Sequence, residues 1–478
     1  MNSNTKRLVN IFVGPALFAL CCLLLPQSVF ESFVSRAAIG TVAWMAYWWV
    51  TAPVDYAITA FLPIAINAVF QLTDMSSVIA NYASEIILLL LGASIISVSW
   101  EETGLDKRIA ARFLGLVGSS FRSQLLFWFT LCTLMSTILP NAVVCATISP
   151  IALSMLKFVG EGDISKSRIG ARLLLYIAYG AGLGGLASPL GGAMNLVTVE
   201  YIQQFTGEEY MYIDWVIRFL PIMITLYVIC VIFMLRNVKK EETLGGSREY
   251  FQQSYKELGK MSREEVICLV VFVVATVLAF TRQLYASMMP GLKPAYVFII
   301  AGLITFVISR KNESGEPERL MRWKSVEGKI TWELIYIYAG GLAVGSIING
   351  TGAAQAIGDA VSAAGLSGGI VLIFVIILFT LLMSDCTSNT ATAAVAIPII
   401  ISIVQGMGEN PIPYIYIASI GVNLSFMLPT SVRAIPVGYG LSPKYMLKEG
   451  WKISVAIVIV MTALSWALMT YWPLFSQI

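Results

Sequence analysis

Two short runs of amides and hydroxyls interrupt otherwise apolar sequence. One is Ser136 to Asn141; the other passes from Ser384 and Asp385 to Ser388-Asn389-Thr390. Each is followed by a second interruption. The first reads Ser188-Pro189-Leu190-Gly191-Gly192-Ala193-Met194-Asn195, and the second Pro429-Thr430-Ser431-Val432-Arg433-Ala434-Ile435-Pro436. Helices that begin in such gaps present free N–H groups and positive dipole ends, which suit carboxylates. Carbonyls at the broken C-termini, with serine and threonine hydroxyls, suit a small hard cation. Amides, hydroxyls and one arginine together read as an anion-binding site. They do not read as a hydrolytic one: the chain contains no histidine, so it lacks the usual base near neutral pH and the commonest zinc ligand. Asp385 has no second catalytic aspartate at comparable depth, and nothing around Asp55 resembles a site. An enzyme is not expected, nor a cofactor or firm metal site.

The elements that hold these interruptions follow from composition. Of 478 residues, 57% are apolar and 12% charged, with a mean hydropathy of +0.78; an ordinary soluble domain carries roughly 25% charged residues. A chain this long and this poor in charge cannot solvate its own surface. It reads as an all-α polytopic membrane protein, partnered by the lipid bilayer. Its net charge of +3 is too small to suggest nucleic acid. The seven cysteines lie in apolar runs without CxxC spacing and read as small buried hydrophobes. Trp44, Tyr47, Trp48 and Trp49 read as an interfacial belt.

A crossing helix needs about 20 mostly apolar residues. Clear candidates are 8–26, 36–51, 54–71, 85–100, 214–235, 264–281, 293–309, 331–348 and 451–473. Residues 8–26 could pass for a signal peptide, but so many segments follow that a retained helix is expected. Two longer apolar regions, 123–205 and 369–447, do not divide into full spans. If each holds one re-entrant hairpin and one broken helix, the chain crosses about eleven times. Of its 31 lysines and arginines, 26 then fall on the N-terminal side. Arg36, Arg218, Arg282 and Lys293 fall on the other, with Arg433 at membrane depth. The positive-inside rule therefore predicts the N-terminus inside and the C-terminus outside.

Sliding the chain against itself by 248 residues aligns Glu85 with Glu333, Gly92 with Gly340, Thr103-Gly104 with Thr351-Gly352, Ser136 with Ser384, Asn141 with Asn389, and Pro150 with Pro398. Polar, glycine and proline matches at one constant offset identify an internal repeat. Five crossings separate its copies, an odd number, so they face opposite ways. Inverted repeats with discontinuous helices are a construction of secondary transporters, which bind substrate at the repeat interface. The expected organisation has scaffold helices at 1–84 and a first repeat at 85–235, with hairpin 123–158 and broken helix 171–205. A cytosolic loop at 236–263 precedes scaffold helices and a second loop at 264–330. The second repeat occupies 331–478, with hairpin 369–406 and broken helix 413–447. The loops 237–262 and 310–329 are read as solvated linkers.

The run Ser388-Asn389-Thr390 through Pro398 resembles the Ser-Asn-Thr signature of the divalent anion:sodium symporter (DASS) family of dicarboxylate and citrate carriers. Phe426-Met427-Leu428-Pro429 resembles the segment before that family's second broken helix. Gly184-Gly185-Leu186-Ala187, with Gly191 and Asn195, resembles the first. The resemblance implies eleven spans, two hairpins, elevator-type alternating access and a homodimer. It also implies that Asn141 and Asn389 hold the two substrate carboxylates, assisted by Thr390. Ala142, Ser388, Gly192, Thr430 and Ser431 would lie beside substrate. Ser136, Ser384, Asp385, Gly191 and Asn195 would lie near cation positions or their remnants.

The chain departs from that pattern. Pro140-Asn141-Ala142 stands where Ser-Asn-Thr is common, and Gly192-Ala193-Met194-Asn195 and Val432-Arg433-Ala434-Ile435 have lost threonines. An intramembrane arginine is by default functional. Arg433 either pairs with Asp385 or supplies the positive charge that sodium supplies in symporters; snorkelling to a surface is the bland alternative. With a fixed cation, substrate must ride both ways, so an anion exchanger is expected and a role for sodium is doubted. A sodium-coupled dicarboxylate or citrate symporter is the alternative. Side-chain types do not choose among succinate, malate, fumarate, 2-oxoglutarate, tartrate and citrate. The expected location is a bacterial plasma membrane.

Overall fold

The computed structural model describes residues 3–477 apart from 115–117, 237, 240–241, 312–315 and 364–367. The helices are, in order, α1 (Ser3–Leu24), α2 (Phe33–Thr51), α3 (Tyr56–Thr59), α4 (Leu62–Phe70), α5 (Met75–Ala80), α6 (Glu85–Thr103) and α7 (Leu105–Leu114). They continue with α8 (Phe121–Ser136), α9 (Asn141–Phe158), α10 (Arg168–Gly185), α11 (Ala193–Thr206), α12 (Tyr212–Leu235) and α13 (Ser247–Glu257). Next come α14 (Arg263–Phe280), α15 (Arg282–Tyr285), α16 (Pro294–Val307), α17 (Trp323–Val326), α18 (Trp332–Gly350) and α19 (Ala353–Ala363). The last are α20 (Ile370–Cys386), α21 (Asn389–Gly406), α22 (Pro411–Asn423), α23 (Ala434–Gly438) and α24 (Pro443–Tyr471). One antiparallel ribbon, β1 (Ser309–Lys311) with β2 (Pro317–Arg319), joins α16 to α17.

Local chemistry sets the boundaries that matter for the site. The Ser167 hydroxyl accepts from Gly170 N at the start of α10, and Ser388 accepts from Ala391 N at the start of α21. Ser262 and Glu265 form a reciprocal capping box on α14. α6 ends at Gly104, whose φ of +74° takes the left-handed C-cap. Each hairpin has a short turn between its arms, at residues 137–140 and 387–388, so α9 and α21 both begin on an asparagine. Both are 18 residues long, with proline at the tenth position, Pro150 and Pro398.

Among the described residues, six helices are long and apolar enough to cross a membrane; a seventh candidate is the pair Trp332–Gly350 and Ala353–Val361, bent by 69°. This is fewer than the eleven crossings expected, and two of the six, α9 and α21, are hairpin arms, while the apolar helices α16 and α20 have 14 and 17 residues. Span 54–71 appears as α3 and α4, separated at Ala60 and Phe61, with Pro63 in the first turn of α4. The segment 413–447 is likewise shorter than one helix pair: α22 stops at Asn423, a 3-10 turn (Ser431–Arg433) and α23 follow, and Gly440 at φ +100° ends the piece. Pro443 then opens α24, which takes in the last residues assigned to the broken helix.

The two linkers carry structure. Phe251 of α13 is fully buried and packs edge-on against Trp128 of α8. Leu244 N donates to Ser119 O and Phe121 N to Glu242 O, so this segment is backbone-bonded to the base of the first hairpin. Arg108 of α7 is held by Glu265 at 2.6 Å and by the carbonyls of Leu258, Gly259 and Lys260. Buried apolar residues fall into two clusters. One joins α1, α2 and α18 around Met45, Trp49 and Val344; the other contains both hairpins and both broken helices. Outward-facing leucines and valines such as Leu23 and Val307, each about four-fifths exposed, would be a liability in water; here they suit lipid.

Candidate binding site

The site is built from two equivalent assemblies, each a hairpin tip seated against a helix break. In the first, α10 stops at Gly185 and α11 begins at Ala193, leaving seven residues, 186–192. Asn141 N donates to Gly191 O at 3.0 Å, and the Ser188 hydroxyl donates to Thr137 O. Asn195 reaches back over the break, its Nδ2 donating to Gly185 O (2.6 Å) and Ser188 O (2.8 Å). No side chain would fit at Gly191: a Cβ there would lie 2.3 Å from Ser136 O. Among the described residues the buried Ser136 hydroxyl has no partner.

In the second assembly α22 stops at Asn423 and the next turn begins at Ser431, again leaving seven residues, 424–430. Asp385 Oδ1 accepts from Met427 N (3.0 Å) and Leu428 N (3.3 Å). Arg433, third residue after the break as Asn195 is after the first, reaches back in the same way. Its Nε donates to Leu428 O (3.1 Å) and its Nη2 to Thr430 Oγ1 (2.8 Å). Thr430 Oγ1 in turn donates to Ser384 O, and Tyr179 Oη to Phe426 O at 2.6 Å. Among the described residues Arg433 makes no direct ion pair; it and Asp385 grip Leu428 from its carbonyl and its N–H. Ser431 takes a left-handed φ of +52°, a strained backbone for a residue with a Cβ.

Between the assemblies, Asn423 Nδ2 donates to Asn195 Oδ1 (3.0 Å), and the Thr198 hydroxyl meets Ser419 (3.4 Å). The Ser384 hydroxyl lies 2.6 Å from Val422 O and 3.0 Å from Asn389 Oδ1, which also accepts from Ser425. Among the described residues, Asn389 Nδ2, Asn423 Oδ1 and Asp385 Oδ2 are buried without partners. Buried polar atoms are ordinarily satisfied, and these three are free to meet a ligand, ion or water.

A cavity of about 480 Å³ runs from both hairpin tips along α6 and α9 to a charged mouth. Asn141, Ala142, Asn389, Thr390 and Ser431 line its inner end, with Ala193 and Met194. Ser388, Gly191, Gly192, Thr430, Arg433, Asp385, Asn195, Ser136 and Ser384 are not part of that lining. Arg433 is 2% exposed and turned into the break, so it does not face the cavity. Ser94, Ser97 and Thr147, which the sequence reading missed, line the walls; the i, i+3 spacing of the two α6 serines was the available signal. At the mouth stand Glu101, Asp106, Lys107 and Lys329. Lys329 bonds Glu102 (2.8 Å) and Glu101 (3.0 Å), and the bond to Glu102 holds its ammonium above the usual lysine range. At the far end of the molecule Arg282, before α16, grips Glu209, between α11 and α12, through two bonds of 2.8 and 3.1 Å.

The family profile described as the sodium:sulfate symporter transmembrane region matches residues 5–478. A relative named sodium-dependent dicarboxylate transporter SdcS, from Staphylococcus saprophyticus, is 29% identical over 472 residues, spanning 96% of this chain and 90% of its own. The protein of the same name from Staphylococcus aureus strain MRSA252 is 27% identical over 476 residues, spanning 96% and 91%. Among solved structures, the Alcanivorax borkumensis YdaH transporter superposes with a TM-score of 0.52 at 12% identity, over 83% of this chain and 88% of that one. Neisseria gonorrhoeae MtrF gives 0.51 at 12% identity, over 94% and 96%. At that identity the likeness concerns the fold alone.

Proposed function

Since the chain belongs to the sodium:sulfate symporter family, an integral membrane transport family and not an enzyme family, we propose that it carries small dicarboxylates by alternating access. The observation that carries this reading is the convergence of Asn141 and Asn389, one from each repeat, on a single cavity of about 480 Å³. Two amide-bearing helix N-termini facing one space suit a molecule with a carboxylate at each end. The name of the staphylococcal relatives supports the substrate class. An N-terminus inside, eleven crossings, re-entrant hairpins moving as a body and a dimeric frame belong to the same reading.

For coupling, the charges support a reading. Exchange was expected because Arg433 could replace a mobile cation. Asp385, near the end of α20, holds the same loop through Met427 N and Leu428 N and offsets that charge, so the inner site is neutral overall. A dianion entering a neutral, low-dielectric site needs accompanying cations. We therefore favour sodium-coupled symport, with oxygen donors around Ser136, Gly191 and Ser384 as the cation positions, a ligand chemistry suited to hard cations. Exchange remains the second reading, because Arg433 sits where the first assembly has the neutral Asn195.

The test is uptake of labelled succinate into proteoliposomes, empty or preloaded with dicarboxylate, with and without a sodium gradient. Sodium-driven accumulation into empty vesicles is expected. Sodium-indifferent uptake confined to preloaded vesicles would replace symport by exchange. Absence of uptake under every condition would overturn the dicarboxylate reading.

A further inference from the structure

The internal repeat supplies its own control for specificity. Three pairs of equivalent positions line the inner end of the cavity: Asn141 with Asn389, Ala142 with Thr390, and Ala193 with Ser431. The first two follow from the common start and length of α9 and α21. The third follows from the two seven-residue breaks. The asparagines match, but at both other pairs the first repeat offers a methyl group and the second a hydroxyl. The remaining hydroxyls of the cavity lie along its walls: Thr147 is six residues from Asn141, about 9 Å along the helix.

Resting on the dicarboxylate reading above, we propose that the two carboxylate subsites are chemically unequal, so that substrate binds in one orientation and bears a polar substituent beside at most one carboxylate. Near Thr390 and Ser431 a substrate hydroxyl finds partners. Near Ala142 and Ala193 it is buried against methyl groups and gives up its bonds to water without replacement, which is unfavourable. Malate turns its single hydroxyl toward the second repeat. Tartrate, with one hydroxyl beside each carboxylate, has no orientation that avoids the first.

The experiment is competition by unlabelled succinate, malate and tartrate against labelled succinate uptake in proteoliposomes of the whole protein. Malate should compete within about threefold of succinate, whereas tartrate should be at least about tenfold weaker, on the order of what a pocket lacking a hydrogen-bond partner achieves. Ala142→Thr should narrow the tartrate-to-succinate ratio, taken within that variant. Thr390→Ala should widen the malate-to-succinate ratio. Tartrate competing as well as malate in the native protein, or ratios unmoved by both substitutions, would overturn the inference while leaving dicarboxylate transport standing. Failure of succinate itself to be taken up would instead overturn the reading on which the inference rests.

Discussion

Arg433→Asn and Asp385→Thr give each position the residue that its counterpart in the first repeat carries, Asn195 and Thr137. Arg433 donates two hydrogen bonds from a guanidinium that is 2% exposed, and Asp385 accepts two backbone N–H groups while 1% exposed. Removing either charge strands the other in the interior, at a cost of about 3–5 kcal/mol. Independent sites would add to roughly 6–10 kcal/mol. If the two charges instead compensate each other through the Leu428 backbone, the double variant strands nothing. It should lose no more than either single one, a coupling of at least about 3 kcal/mol. The assay is equilibrium unfolding in mixed detergent micelles, followed by tryptophan fluorescence, for the native chain and all three variants. A double-variant loss within about 0.5 kcal/mol of the summed singles would refute the compensation, and with it the neutral-site argument for cation coupling.

Two further outcomes are expected. Gly191→Ala would place a Cβ 2.3 Å from Ser136 O and 2.9 Å from Gly185 O, so it should cost about 1–3 kcal/mol and weaken succinate binding at least severalfold. Gly182→Ala, whose Cβ meets only Val432 Cγ1 at 3.7 Å, should be tolerated; equal losses for the two would contradict the packing argument. Glu209→Gln removes the bidentate grip on Arg282, worth about 1.5–3 kcal/mol. By loosening that end it should slow maleimide labelling of a cavity cysteine, Ser97→Cys, in a background lacking Cys386; unchanged labelling would show that the contact does not hold the cavity open.

Much of this was legible in the residues. The offset of 248 located the paired asparagines because hairpin turns need particular residue types at particular places, and those survive duplication. Glycines marked the first break, whereas the second, read at 429–436, lies at 424–430 and shares only Pro429 and Thr430 with that reading. The direction of a charged side chain was not legible. Arg433 announces itself in an apolar segment, but whether it faces a cavity or a loop depends on Leu428 and Thr430 and on how the break folds. Nor was the docking of α13 and of the segment 242–246 before it legible: the charges there read as a linker, and only Tyr250 and Phe251 hint at a face. The contact between Asn195 and Asn423 joins two repeats, and local pattern carries no trace of it.

The duplication also bears on what the opposite membrane face would present when the repeats exchange conformations under alternating access. Ser94, Ser97 and Glu101 of α6 flank the cavity; their counterparts on α18 are Leu342, Gly345 and Asn349. That lane is shut: Leu342 and Gly345 are buried, and the Tyr201 hydroxyl lies over Gly345, bonded to Gly341 O (3.2 Å) and Ala394 O (3.0 Å). Opening it would strip Tyr201 of both carbonyls and uncover three uncharged positions, at an end where the nearby charges are paired, Glu209 with Arg282 and Glu85 with Lys293, while the present mouth carries Glu101, Asp106, Lys107 and Lys329. If the carrier alternates as proposed above, the two doorways to one room differ in the residues that line them. Under that alternating access, ionic strength should then alter the passage of a dianion through one doorway more than through the other.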